Sequence, residues 1–214
     1  MGEYNMTRGL RLNRIYRNAV EYCAGVSSAN RFSLPIESDE SVENKRSNLM
    51  LNEQSKFLQL VVACLFCDFE RAWEMSQKLG QFGRVYNGAI WPYTCAFYRG
   101  MAAAQMLSVS RDKHFVQTTK SCLKQLRKGR KKLPTNLSHQ SYLLEAEYAV
   151  YRKKYVSAEK FFSLAIHHAG IAGVTQEHAY ACERFGTYHL LRKNHNAAYE
   201  QIREAHKLYA QWGE

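Results

Sequence analysis

The sequence has few of the features that mark secreted, membrane or strand-rich proteins. Only 3 of its 214 residues are proline, so long helices are rarely interrupted. The longest apolar run, residues 60–67, is far shorter than the roughly 20 residues that a membrane-spanning helix needs. Residues 1–13 are polar and charged and lack the apolar core of a signal peptide. No long stretch alternates apolar and polar residues as a half-buried strand does. We therefore expect a helical protein of the cytoplasm, without a membrane partner.

Catalytic and metal-binding patterns are also missing. The sequence has 6 cysteines, and their spacing does not resemble a secreted disulfide framework. Cys64 and Cys67 form a CxxC, but neither further ligands nor a preceding strand accompany it, so we expect core packing rather than metal or redox chemistry. No nucleophile, base and orienting residue form a recognisable trio. We expect no enzyme, no cofactor and no metal site.

Acidic residues are outnumbered by basic ones, 19 to 30, which gives a formal net charge of +11. The densest group of basic side chains consists of Lys124, Arg127, Lys128, Arg130, Lys131 and Lys132. One interpretation is a solvated helix end, where cations complement the helix dipole. The other is a docking patch for an acidic protein, a nucleic acid or a nuclear-import receptor. The group lacks aromatic residues on which bases stack, so the solvated helix end is the favoured interpretation.

Helical spacing dominates what the sequence does contain. It predicts an N-terminal helix within residues 1–26, a loop over 27–45 and a single domain of helical repeats over 46–214. Nine helices are expected, of which eight form four hairpins and the first stands alone. Asp68 and Asp112 are expected to cap the helices that follow them.

One helical pattern occurs twice near the C-terminal end, 40 residues apart. Small, large and small residues at positions i, i+4 and i+7 lie on one helix face. The small residues let two helices approach closely, and the large one fills the space between successive hairpins. The positions to which we assign this packing are Gly100, Ala146, Ala158, Phe162, Ala165, Gly186, Ala198, Ile202 and Ala205.

Repeats of this kind build stacked helical hairpins. The predicted fold is all-α, a tetratricopeptide-like (TPR-like) α-α superhelix of about four hairpins plus an N-terminal helix. Its period is longer than the roughly 34 residues of a TPR, and the tryptophan, leucine and tyrosine positions typical of the first TPR helix are not clearly present. The repeat is therefore TPR-like rather than a strict TPR.

Five segments carry a resemblance to a known family: residues 65–72, 97–102, 138–147, 177–186 and 209–213. In this order they resemble the helical-repeat region of large signalling proteins, the multi-domain hybrid histidine kinases. In those proteins the region follows a serine/threonine-kinase-like domain and a STAND-type ATPase, and often precedes GAF and histidine-kinase domains. None of the family's catalytic modules is present in this sequence. The resemblance implies a scaffold between signalling domains.

We therefore expect a non-catalytic scaffold that mediates protein–protein interaction or couples flanking domains. Two alternatives stay open, a free-standing TPR-like adaptor that binds peptides and a basic helical protein that binds nucleic acid. Chains of the resembled family usually continue beyond the position of Trp212, so the resemblance also implies a fragment of a larger regulator. In that case Leu208, Tyr209 and Trp212 would be exposed unless something covers them.

Overall fold

The computed structural model describes residues 42–80 and 90–213 of the chain. All regular structure in these residues is helical, which confirms the all-α class for them. The eight helices are α1 (Val42–Leu65), α2 (Phe69–Lys78), α3 (Trp91–Val109), α4 (Lys113–Lys132), α5 (Pro134–Tyr151), α6 (Tyr155–Ala172), α7 (Thr175–Leu191) and α8 (His195–Gly213). The N-terminal helix predicted within 1–26 lies outside the described residues. Helix α1 begins at Val42, so the loop predicted over 27–45 is too long at its C-terminal end.

The chain divides into two compact units, one ending at Tyr98 and the other beginning at Arg99, whereas the sequence analysis treats 46–214 as one domain. In the first unit α1 and α2 pack together. Phe57 of α1 contacts the rings of Trp91 and Tyr98 edge-on. The Cys64 thiol donates to the carbonyl oxygen of Tyr98 at 3.6 Å. The core of this unit therefore combines aromatic rings with buried aliphatic residues such as Leu51 and Leu60.

Helix starts follow local chemistry. The carboxylate of Asp68 accepts a hydrogen bond from the backbone N–H of Arg71, and that of Asp112 accepts one from His114. Both caps are as predicted, because a short acceptor side chain satisfies a backbone donor that the first helical turn leaves unpaired. Pro134 is the first residue of α5, where its missing N–H costs no helical hydrogen bond.

Three helix ends share one turn without a glycine. Cys67, Lys153 and Lys193 adopt the left-handed conformation, with φ of 56°, 56° and 59°. In each turn the next residue donates its N–H to the carbonyl five residues earlier, at 2.9 Å, which is the Schellman pattern. Helix α6 ends in the same way at Gly173, whose φ is 67°. Gly170 lies inside α6 rather than at its end.

In the second unit each helix from α4 to α8 packs against the next along the chain, and α5 also contacts α7. Helices α5 and α7 bury residues around most of their circumference, polar ones included. Helix α6 instead buries one stripe that contains Ala158, Phe162 and Ala165. Helix α8 buries Ala198, Ala205 and Leu208. The expectation that Leu208 is exposed is wrong, because it packs in a cluster with Ala179, Cys182 and Ala205.

Candidate functional site

Two glycines mark where helices approach most closely. A Cβ atom on Gly100 would lie 2.5 Å from Cδ2 of Leu144 and 2.9 Å from Cβ of Cys122. A Cβ on Gly186 would lie 2.7 Å from Cγ1 of Ile202. All three distances are below ordinary van der Waals contact, so a larger side chain at either position requires a neighbouring atom to shift. Helix packing accounts for both glycines without a ligand.

The large residues of the two copies have different surroundings. Phe162 is fully buried and stacks on Phe185 of α7, with ring centroids 5.0 Å apart. It therefore fills the space between α6 and the following hairpin. Ile202, 40 residues later, contacts Gly186 within its own hairpin but remains 41% exposed. No further helix covers this side of α8 within residues 42–80 and 90–213.

We define the α8 surface as Tyr199, Ile202 and His206, three exposed residues on one side of α8. The corresponding residues of α6, 40 positions earlier, are Glu159, Phe162 and Ile166. Glu159 accepts a hydrogen bond from the Tyr188 hydroxyl of α7 at 2.9 Å, and Ile166 packs against the cluster around Ala179. The α8 surface thus corresponds to the side of α6 that α7 covers.

A buried polar bridge ties three helices of the second unit. Nε of Arg184 in α7 donates to Oε1 of Glu147 in α5 at 2.7 Å, and both side chains are buried. The Nη2 group of Arg184 donates to Oε1 of Gln105 in α3 at 2.8 Å. One guanidinium group therefore connects α3, α5 and α7, which follows from its several donors in a fixed planar arrangement.

A second buried polar cluster joins α5 to the first turn of α7. Gln140 donates to both carboxylate oxygens of Glu177, at 2.9 and 3.1 Å, and His139 contacts the same carboxylate through Nε2. A histidine beside a carboxylate can act as a base. Here both groups are buried, at 4% and 6% exposed, so the pair has little contact with solvent. The sequence analysis did not foresee either polar cluster.

Two members of the predicted basic patch are used inside the fold. Arg127 and Arg130 both pair with Oε1 of Glu145, at 3.1 and 3.4 Å, and Glu145 is buried. The Arg130 guanidinium also lies over the Tyr142 ring, 4.3 Å from its centroid. These two arginines therefore link α4 to α5, although the Arg127 side chain remains 55% exposed.

The lysines of the patch remain on the surface. Lys124, Lys128, Lys131 and Lys132 are exposed, and none of them makes an ion pair with another described residue. The structure adds two members that the sequence analysis missed, because exposed Lys113 and Lys120 lie on the same side of α4. We define the lysine face of α4 by its aligned members, which are Lys113, Lys120, Lys124, Lys128 and Lys131. Their spacing of three, four or seven residues is the signal that could have found them.

The cysteines do not form a reactive site in the described residues. Cys64 is fully buried, as expected for core packing, whereas Cys67 is exposed at the turn after α1. Burial raises the pKa of the Cys122 thiol to about 11 and that of Cys182 to about 12. Such thiols stay neutral near pH 7 and act as small apolar side chains.

No group of three or more potential metal ligands occurs in residues 42–80 and 90–213. Over the same ranges, no helix has the length and apolar content needed to cross a membrane.

No family model, curated protein or solved structure matches the chain. The resemblance to the repeat region of signalling ATPases and histidine kinases therefore stays a prediction.

Proposed function

We propose that the chain is a non-catalytic, TPR-like helical-repeat scaffold of the cytoplasm that binds a protein helix through the α8 surface. The helix belongs either to a separate partner or to a flanking signalling domain. The observation that carries the proposal is the exposure of Ile202 and Tyr199, at 41% and 64%, on the side of α8 that corresponds to the covered side of α6.

The chemistry of the α8 surface suits a helix. Residues 199, 202 and 206 form a stripe along α8 at positions i, i+3 and i+7. An amphipathic partner helix presents its own apolar anchor residues at the same spacing, so the two stripes can pack side by side. Covering one aliphatic or aromatic side chain contributes about 1.5–3 kcal/mol when burial is complete. Arg203 lies over the Tyr199 ring, 5.7 Å from the centroid, and pairs with Glu200 at the edge of the surface. A partner helix with an apolar stripe flanked by carboxylates fits this surface.

The polar bridge of Arg184 supports the coupling part of the proposal. A bound helix pushes on α8, which packs on α7. Arg184 then connects α7 to Glu147 and Gln105 on two earlier helices. Hydrogen bonds to a charged group are directional and roughly twice as strong as neutral ones. A displacement of α7 should therefore move α5 and α3 with it instead of breaking these bonds.

The test places a photo-crosslinking amino acid at Tyr199, and at Val156 as the control. Val156 is 85% exposed on α6, so it samples an apolar surface position outside the α8 surface. We expect one polypeptide to crosslink from position 199 and not from position 156. A crosslink confined to the chain's own flanking sequence identifies interdomain coupling, and one to a separate protein identifies an adaptor.

The partner is then purified and titrated against Ile202→Asp and the matched control Val156→Asp. Placing a carboxylate in an apolar contact costs desolvation, so Ile202→Asp should weaken binding at least about tenfold, while Val156→Asp should leave it unchanged. Equal binding by wild type and Ile202→Asp, with helix content preserved by circular dichroism, would refute the α8 surface as the binding site.

A further inference from the structure

We propose that the lysine face of α4 binds the phosphate backbone of double-stranded DNA without reading its base sequence. This surface is separate from the α8 surface, so the two proposals stand or fall independently. It rests on the charge of α4, on the lack of ion pairs to its lysines within the described residues, and on the polar side chains between those lysines.

The charge is concentrated and uncompensated. Eight of the 20 residues of α4 are lysine or arginine, and none is aspartate or glutamate. The carboxylate of Glu145 pairs with Arg127 and Arg130, and that of Asp112 accepts the backbone N–H of His114 at the start of the helix. No ion pair neutralises the lysine face among the described residues. Its ammonium groups therefore attract a polyanion with their full charge.

The geometry suits a duplex. Lys113 and Lys131 are 18 positions apart, which spans about 27 Å at 1.5 Å per residue. That length covers roughly eight phosphates of one DNA strand at 3.4 Å each. At about 100° per residue the members of the face lie within roughly 80° of one another around the helix. A row of this kind can follow one strand at the edge of a groove.

The side chains between the lysines favour DNA over an acidic protein. Protein interfaces have an apolar centre and are depleted in lysine, whereas DNA interfaces are more polar and much more positive. The exposed residues Gln117 and Ser121 separate the lysines, and no apolar residue of α4 is exposed, because Phe115, Leu123 and Leu126 are buried.

Two further features favour double-stranded DNA, bound without recognition of its base sequence. Single strands are bound by stacking of bases on exposed aromatic rings, and the one aromatic residue of α4 apart from histidine, Phe115, is buried. Arginine makes the commonest specific base contact, and the two arginines within α4, Arg127 and Arg130, both pair with Glu145. Lysines remain, and these contact phosphates as point charges.

The test measures binding of fluorescent duplexes of about 25 base pairs by anisotropy, between roughly 50 and 200 mM salt. The variant is Lys120→Glu, Lys124→Glu and Lys131→Glu together. The matched control is Lys154→Glu, Lys160→Glu and Lys207→Glu, exposed lysines of α6, its N-cap and α8, with the same change in net charge. Two duplexes of unrelated sequence are compared.

We expect wild type to bind both duplexes equally, with affinity that falls steeply as salt rises. The variant should bind at least about a hundredfold more weakly at the lowest salt, and its salt slope should be smaller by about 3, near 0.9 for each lost phosphate contact. The control should keep most of the slope. A second variant with glutamine at the three α4 positions should show the same loss of slope with an unchanged helix signal in circular dichroism.

Several results would overturn the proposal. Equal weakening by variant and control would show that overall charge, not the lysine face, attracts DNA. Tighter binding to single strands would contradict the preference for double-stranded DNA. Tighter binding to one of the two duplexes would show that the base sequence is recognised. If polyglutamate of the same charge displaced DNA at equal concentration, an acidic protein would be the better occupant.

Discussion

Replacing Gly100 by alanine should destabilise the chain, although alanine is the better helix former. The gain in helix propensity is about 1 kcal/mol. The added Cβ meets Cδ2 of Leu144 at 2.5 Å and Cβ of Cys122 at 2.9 Å. Leu144 is fully buried, so its side chain can move only against other packed atoms, and the Cβ of Cys122 moves only with the backbone of α4. Overpacking of this kind costs about 1–3 kcal/mol. Taking the upper end, we expect a net loss of about 2 kcal/mol in the free energy of unfolding.

Urea denaturation followed by circular dichroism measures this loss, and Gly186→Ala supplies the comparison. At Gly186 the nearest atom is Cγ1 of Ile202, which is half-exposed and can rotate away, so propensity and crowding should nearly cancel. Leu144→Ala should lower the free energy of unfolding by about 2–5 kcal/mol in the wild-type chain. In the Gly100→Ala variant the same substitution should cost at least about 1 kcal/mol less, because it removes the side chain that the new Cβ crowds. If Gly100→Ala proved as stable as wild type, the close approach of α3 to α4 and α5 would be wrong.

Three other perturbations test separate features. Arg184→Met should lower the free energy of unfolding by about 3–5 kcal/mol, because it leaves the buried carboxylate of Glu147 without its charged partner. Adding Glu147→Met should recover most of that loss. A double variant as unstable as the single one would contradict the bridge. Lys193→Gly should raise the free energy of unfolding by about 0.5–1 kcal/mol, since it removes left-handed strain, and a decrease in urea midpoint would count against this turn. Burial lowers the pKa of His178 and His189 below the ordinary 6.5. As the pH falls, the unfolded chain therefore binds protons at these histidines before the folded chain does. Thermal stability should be highest above about pH 6.5 and fall toward pH 5. A melting temperature that does not change over this pH range would exclude this linkage.

Much of the helical fold could be predicted because its signals are local. The caps at Asp68 and Asp112 depend on residues three and two positions away, and the 40-residue spacing shows which alanines share a face. The turns at Lys153 and Lys193 could not be predicted, since lysine carries no preference for the left-handed region and adopts it only because the hairpin requires it.

The polar interior of the second unit escaped prediction for a different reason. Helix α5 carries residues such as Gln140 and Glu147 that are usually exposed, and their partners lie 37 positions away in the chain. Nothing in a local pattern indicates that pairing. The basic patch was found where charges adjoin in sequence, but the pairing of Arg127 and Arg130 with Glu145 depends on how α4 packs on α5.

The long sequence separation of the contacts made by Arg184 affects the order in which the chain folds. Contacts between consecutive helices close short loops, so each hairpin can form quickly and almost on its own. Arg184 joins residues 79 positions apart when it meets Gln105, a contact that forms only after the intervening hairpin is in place. We therefore expect it to form late, after the folding transition state, so that its loss speeds unfolding more than it slows folding. Helices that would otherwise separate pair by pair are thereby expected to unfold more nearly as one cooperative unit from α3 to α7.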